Sequence, residues 1–64
     1  MDDHLEQDLR NQIIRDVDDA RTRILAVMRG EIADADIRNT AQSAAQLLGA
    51  ALRSLYQLDE RQRG

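Results

Sequence analysis

The single histidine, His4, is the first candidate for chemistry in this chain. In the sequence Asp2-Asp3-His4, it would form an amino-terminal copper or nickel site if Met1 were removed. We expect Met1 to be retained before Asp2, and His4 to be a solvated residue in the first turn of a helix. The chain also has no cysteine, which excludes disulfides and cysteine-ligated metal centres. We therefore predict no metal site and no cofactor.

The carboxylates and hydroxyls form no catalytic arrangement. Asp18 and Asp19 are adjacent, but the sequence implies no apolar pocket around them that would suit acid–base catalysis. We expect Asp19 to form i,i+4 ion pairs with Arg15 and Arg23 instead. The hydroxyl groups have no histidine partner, and no glycine-rich phosphate loop is present. We therefore predict that the protein is not an enzyme.

The charge balance bears on partners and location. Nine arginines oppose nine aspartates and three glutamates, so the net charge is −3, whereas binding by phosphate neutralisation normally needs a basic surface. The longest uncharged run, residues 39 to 52, is shorter and more polar than the ~20 apolar residues of a membrane span. Acidic residues occupy the place of a positive signal-peptide region. We expect a cytoplasmic protein without a membrane contact, and nucleic acid is not the expected partner.

Apolar periodicity predicts two helices. The first covers about residues 3 to 29 and begins with a capping box, in which Asp3 and Glu6 satisfy backbone N–H groups reciprocally. Gly30 follows it as a left-handed residue that ends the helix.

A turn of about residues 30 to 35 leads to the second helix, residues 36 to 59, which Asp34 or Asp36 can cap. Residues 60 to 64 are predicted to be a polar tail. Because the connection is short, we expect an all-α, antiparallel two-helix hairpin in one domain.

Each helix carries an apolar seam with alternating spacings of three and four residues. The seam of the first helix is Leu5, Leu9, Ile13, Val17, Ala20, Ile24 and Val27. The seam of the second is an unbroken heptad pattern, Ile37, Ala41, Ala44, Leu48, Ala51, Leu55 and Leu58. We predict that all of these except Leu5, Leu9 and Val27 form the core of the hairpin and of a dimer.

The apolar surface is too wide for one hairpin. Of 64 residues 27 are apolar, but only 17 are larger than alanine once Met1 is set aside, so a monomer is marginal. Large apolar residues also lie beside both seams, among them Ile14 on the first helix and Leu47 on the second. We therefore expect a homodimer in the form of a four-helix bundle. Gly49 would let the second helices approach closely.

Two groups of residues have the composition of a surface that binds another protein. The first group combines an arginine with apolar side chains and consists of Ile14, Arg21, Leu25 and Met28. Alternatively, these residues are buried inside the homodimer. The second group contains the only aromatic residue and consists of Leu52, Arg53 and Tyr56. Alternatively, these residues close the end of the bundle. The outer face of the second helix is expected to be an ordinary solvated face: Asn39, Gln42, Gln46, Arg53 and Gln57.

These features predict a small non-enzymatic regulator or inhibitor, a homodimer that occludes an interface of an unidentified partner protein. The layout of the whole chain, with two helices and an Asp-containing turn near the midpoint, resembles the Rop family of plasmid RNA-binding proteins. That resemblance implies a dimeric four-helix bundle that binds RNA. The Rop RNA-binding face uses lysines and an aromatic residue of the first helix, and this first helix contains neither. The alternatives are therefore a Rop-like RNA-binding dimer and a structural oligomerisation subunit.

Overall fold

The computed structural model describes residues 2 to 63, with the side chains of residues 4 to 63. Two helices, α1 (Asp2–Met28) and α2 (Ile37–Arg63), are joined by a segment that contains one 3-10 turn, Asp34–Asp36. The helices pack against each other along a molecule of 46 × 14 × 12 Å, measured over Cα atoms. The predicted all-α helical hairpin is confirmed, whereas the predicted capping box depends on the side chain of Asp3, which lies outside the described residues.

A Schellman motif closes the end of α1. Gly30 has a φ of 74°, the left-handed conformation predicted for it. Its N–H donates to the carbonyl of Val27 at 3.1 Å, and the N–H of Glu31 donates to the carbonyl of Ala26 at 3.0 Å. These bonds satisfy carbonyls that have no partner within the helix. The chain therefore leaves α1 in a fixed direction.

The bounds of α2 differ from those predicted. Asp34 and Asp36, the predicted caps, form the 3-10 turn that continues directly into α2. At the other end, α2 continues to Arg63 instead of ending near Asp59. Arg63 Nε lies 3.3 Å from Asp59 Oδ2, and arginines in a last turn also interact favourably with the helix dipole. Both interactions favour the helical conformation of residues 60 to 63, which belong to the predicted polar tail.

Alanines bring the two helices together. Among the described residues, the buried apolar side chains are those of Ala20, Ala44 and Ala51, and no large side chain is fully buried. Alanine lets two helix backbones come close, but each alanine buries little apolar area. The interface between α1 and α2 is therefore close but contributes little hydrophobic stabilisation.

The seam of α1 that faces α2 is rotated from the predicted one. Its buried and half-buried residues are Glu6, Leu9, Ile13, Asp16, Ala20, Arg23 and Val27. Asp16 and Arg23 thus occupy the places that the sequence pattern assigned to Val17 and Ile24. Val17 and Ile24 are exposed.

The seam of α2 shows the same rotation. Its buried and half-buried residues at heptad spacing are Thr40, Ala44, Leu47, Ala51, Ser54 and Leu58. The predicted core residues Ile37, Ala41, Leu48 and Leu55 are exposed instead. The α2 seam thus combines small side chains with two half-buried leucines, Leu47 and Leu58, and the small ones permit the close approach of the helices.

Two glycine-to-alanine substitutions should have opposite effects on stability. Gly30→Ala should lower the free energy of unfolding by about 1–2 kcal/mol, because a residue with a Cβ is strained at this left-handed position. Gly49→Ala should raise it by up to about 1 kcal/mol, because a Cβ there meets no atom within 4 Å and alanine favours a helix.

Urea denaturation at one protein concentration measures both variants. Destabilisation by Gly49→Ala would contradict the prediction and would show that another chain packs against Gly49, the role that the sequence suggested for it.

Candidate protein-interaction surface

One side of the hairpin carries most of its exposed large apolar side chains. Of the ten large apolar residues that are exposed, all but Leu5 and Tyr56 lie on this side. We call it the open face. Its α1 residues are Ile14, Val17, Arg21, Ile24 and Met28, and its α2 residues are Ile37, Ala41, Ala45, Leu48, Leu52 and Leu55.

The antiparallel geometry places the two halves of the open face side by side. Val17 follows the seam residue Asp16, and Leu48 follows the seam residue Leu47, so each is displaced about 100° around its helix in the same sense. When two antiparallel helices pack against each other, residues that are rotated by the same angle from the two seams lie on the same side of the hairpin. A depression of about 210 Å³ near the turn is accordingly lined from both helices, by Ile24, Val27, Met28, Ile37, Thr40 and Ala41.

Apart from Arg21, the residues of the open face are apolar. Met28, near the turn, is 75% exposed, Ile14 is 58% exposed, and Leu48, near the middle of α2, is 40% exposed. Exposed apolar area costs about 25 cal/mol per Å² relative to burial, and large contiguous patches of it usually mark interaction sites. The open face is therefore suited to packing against another polypeptide.

The opposite side of the hairpin is polar. Arg23 Nη1 lies 3.8 Å from Asp19 Oδ1, which confirms one of the two predicted ion pairs. Between residues 4 and 63, the other predicted pair, of Arg15 with Asp19, does not form. On this side of α2, Ser43 is half-buried and Gln57 is exposed. A surface of this composition is well hydrated and needs no cover.

The first predicted patch lies mainly on the open face. Ile14, Arg21 and Met28 follow its α1 edge at seven-residue spacing and are all exposed. Leu25 lies one turn after Arg21, on the side of the patch away from α2, and is half-buried. The structure therefore keeps the four residues adjacent on α1, with Leu25 just outside the open face.

The second predicted group is divided between two surfaces. Leu52 lies at the α2 edge of the open face. Arg53 lies on the outer side of α2, away from α1, whereas Tyr56 lies one turn after Leu52, next to the edge of the open face, and is 68% exposed. The amide residues of this outer side are all exposed: Asn39, Gln42, Gln46 and Gln57.

Asp16 is a buried carboxylate that the sequence pattern did not reveal. It is only 8% exposed. Gln12 Nε2 donates a hydrogen bond to Oδ1 at 3.2 Å, while Oδ2 is buried and has no hydrogen-bond partner among the described residues. A buried acceptor without a partner is costly. The spacing from Ile13 to Asp16 to Ala20 fits a seam, but the neighbouring Val17 fits equally well and is apolar.

The described residues contain no cluster of three or more potential metal ligands. His4 is exposed. Neither α1 nor α2 has a stretch both long and apolar enough to span a bilayer. In comparisons with protein-family models, curated proteins and solved structures, nothing matches this chain.

Asp16→Ala should stabilise the protein by about 1–3 kcal/mol more than Asp18→Ala does, because it removes the buried oxygen that lacks a partner. Asp18 is exposed on the same helix, so its substitution carries the same gain in helix propensity and serves as the matched control. Thermal unfolding of both variants gives the difference. Equal shifts, or destabilisation by Asp16→Ala, would show that the carboxylate of Asp16 is satisfied.

Proposed function

We propose that the protein is a non-enzymatic regulator that binds another protein and acts as a homodimer, with the open face of one chain covered by that of a second copy. One observation carries the proposal: the large apolar side chains of both helices are exposed together on one side of the hairpin, while alanines form its interior. A protein with this distribution gains most of its hydrophobic stabilisation only when the open face is covered.

A second copy is the simplest cover for the open face. Burying one large aliphatic side chain contributes about 1.5–3 kcal/mol, and a twofold dimer buries each open-face residue twice. Such a dimer is closed, because the same surface of both chains is used and no further apolar face remains. It would also form the predicted four-helix bundle.

Leu48→Glu should abolish the dimer, whereas Gln46→Glu should not. The first substitution places a charge in the middle of the open face, and the second places the same charge on the outer side of α2. We expect Leu48→Glu to raise the dissociation constant at least about a hundredfold, since two buried leucines are lost and each contributes ~2 kcal/mol. Helicity should fall together with association.

Sedimentation equilibrium with circular dichroism on the same samples measures both effects. The unmodified protein should have about twice the chain mass of 7.3 kDa. A stably folded 7.3 kDa species, or a Leu48→Glu variant that dimerises like Gln46→Glu, would contradict the homodimer.

Occlusion of a partner protein's interface is the mode of action that we propose for the dimer. Arg53 and Tyr56 support it, because both are exposed and are not among the open-face residues, with Arg53 on the outer side of α2 and Tyr56 beside the edge of the open face. Tyrosine and arginine are enriched among the residues that dominate binding energies. Arg53 and the Tyr56 hydroxyl both donate hydrogen bonds, so they fit a protein surface with carboxylates. A twofold dimer presents this pair twice.

Tyr56→Ala should leave the dimer intact and weaken capture of that partner at least about tenfold, as loss of ~1.4 kcal/mol or more of binding energy implies. Gln57→Ala, next to it on α2, should leave capture unchanged. Affinity capture from a native lysate, followed by mass spectrometry, identifies proteins held by the unmodified and Gln57→Ala dimers but lost with Tyr56→Ala.

Equal capture by all three dimers would contradict a role for Tyr56. Captured RNA that is released between 50 and 200 mM salt would instead support the Rop-like alternative, because phosphate contacts are strongly salt-dependent.

A further inference from the structure

We infer that the second copy packs on the open face in the antiparallel orientation, with the twofold axis crossing α2 at Leu48. The inference rests on the proposed homodimer and specifies its partner surface residue by residue. Three independent features of α2 support this register: the sizes of its open-face side chains, the position of the depression near the turn, and the charges at its two ends.

Between Ala41 and Leu55, the open-face side chains of α2 are alanines before Leu48 and leucines after it. Ala41 lies seven residues before Leu48 and Leu55 lies seven after it; Ala45 lies three before and Leu52 four after. A twofold rotation at Leu48 reverses the direction of α2. It therefore places each alanine opposite a leucine of the second copy, which is the alternation of small and large side chains that lets helices interdigitate.

The depression near the turn fits this register. Ala41 is among its lining residues, and the other groups around it are apolar except for Thr40. In the antiparallel dimer, Leu55 of the second copy stands opposite Ala41 and enters the depression. By symmetry, Leu55 of the first copy enters the depression of the second. Each depression of about 210 Å³ would thus be filled by the partner chain.

The charges flanking the open face of α2 are complementary in the same register. Arg38 lies ten residues before Leu48, and Asp59 lies eleven after it. They would stand opposite each other twice in the dimer. Within the described part of the chain, Arg38 forms no ion pair, and Asp59 is contacted by Arg63 at 3.3 Å through one of its two oxygens. A carboxylate can accept hydrogen bonds from more than one arginine.

The other closed twofold arrangement, with both turns at the same end, also places Ala41 opposite a large residue, Ile24 of the second copy, so the pairing at Ala41 alone does not distinguish the two orientations. It would pack α2 on α1 of the second copy and pair residues at equal distances from the turn. Leu52 would then face Ile14, so that two large side chains meet, and Arg38 and Asp59 would have no opposite charge across the interface. In the antiparallel arrangement Arg38 meets Asp59, and among the α2 open-face residues from Ala41 to Leu55 two large side chains meet only at Leu48, on the axis.

Disulfide cross-linking distinguishes the two orientations, because the chain contains no cysteine. Chains with Ala41→Cys and chains with Leu55→Cys are unfolded, refolded together and oxidised. On a non-reducing gel, this mixture should give at least tenfold more covalent dimer than either variant alone. A second mixture, of Ala41→Cys with Ile24→Cys, reports the same-end orientation and should cross-link no more than its separate components.

Stronger cross-linking in the second mixture would overturn the antiparallel orientation while leaving the homodimer in place. A monomeric unmodified protein in sedimentation would overturn the homodimer itself, and then neither mixture should cross-link. The two failures are therefore distinguishable.

Charge reversal tests the ends of the interface. Arg38→Asp and Asp59→Arg should each raise the dissociation constant of the dimer about tenfold, and the double variant should recover to within about threefold of the unmodified protein. Because Asp59→Arg also breaks the contact with Arg63, Arg63→Gln serves as the control and should leave dimerisation unchanged. No weakening in either single variant, or no recovery in the double variant, would overturn the proposed register.

Discussion

The close approach of the two helices at Ala20, Ala44 and Ala51 is the constraint on which the rest of the structure depends. Alanine at these points brings the backbones together, and the large seam residues beside them, such as Leu47, are only half-buried. Most of the remaining large apolar side chains of each helix lie on one flank of the seam, outside the interface. The open face is the consequence: it holds the side chains that a hairpin joined through alanines leaves outside.

This arrangement makes the interior of the hairpin more polar than one of its outer sides. Asp16, with an unsatisfied oxygen, is buried, while Val17 beside it is exposed. In an isolated monomer, burying Val17 and exposing Asp16 would bury more apolar area and avoid the cost of a buried carboxylate. Burying Asp16 and exposing Val17 is favourable overall when a second apolar surface covers Val17 and its neighbours. The open face and the buried carboxylate thus support a protein whose final state is an assembly.

The sequence was sufficient to predict the helices, the left-handed Gly30 and the surplus of apolar surface, because these depend on local spacing and backbone chemistry. It was not sufficient to predict which neighbours of the seam alanines face the other helix. Ala44 and Ala51 fit equally well into a seam with Leu48 and into a seam with Leu47, and periodicity alone favours the seam that contains more apolar residues. The choice depends on how close the helices come, which is a tertiary property.

The extent of α2 was also beyond the local pattern. Residues after Asp59 are polar throughout, which is typical of a frayed end, yet α2 continues to Arg63, and Arg63 pairs with Asp59 one turn earlier. Polar side chains without an apolar pattern can therefore still belong to the helix, and the position of the helix end is not encoded in the hydrophobic periodicity.

The heptad pattern of α2 serves two interfaces at once in the proposed dimer. Ala44 and Ala51 face α1, while Leu48 and Leu55, one helical turn along from them, face the second copy. One rotation of α2 about its axis therefore places its alanines against α1 and its leucines against the second copy. Folding of the hairpin and association of two hairpins are consequently coupled: the stability of each chain depends on the concentration of the other.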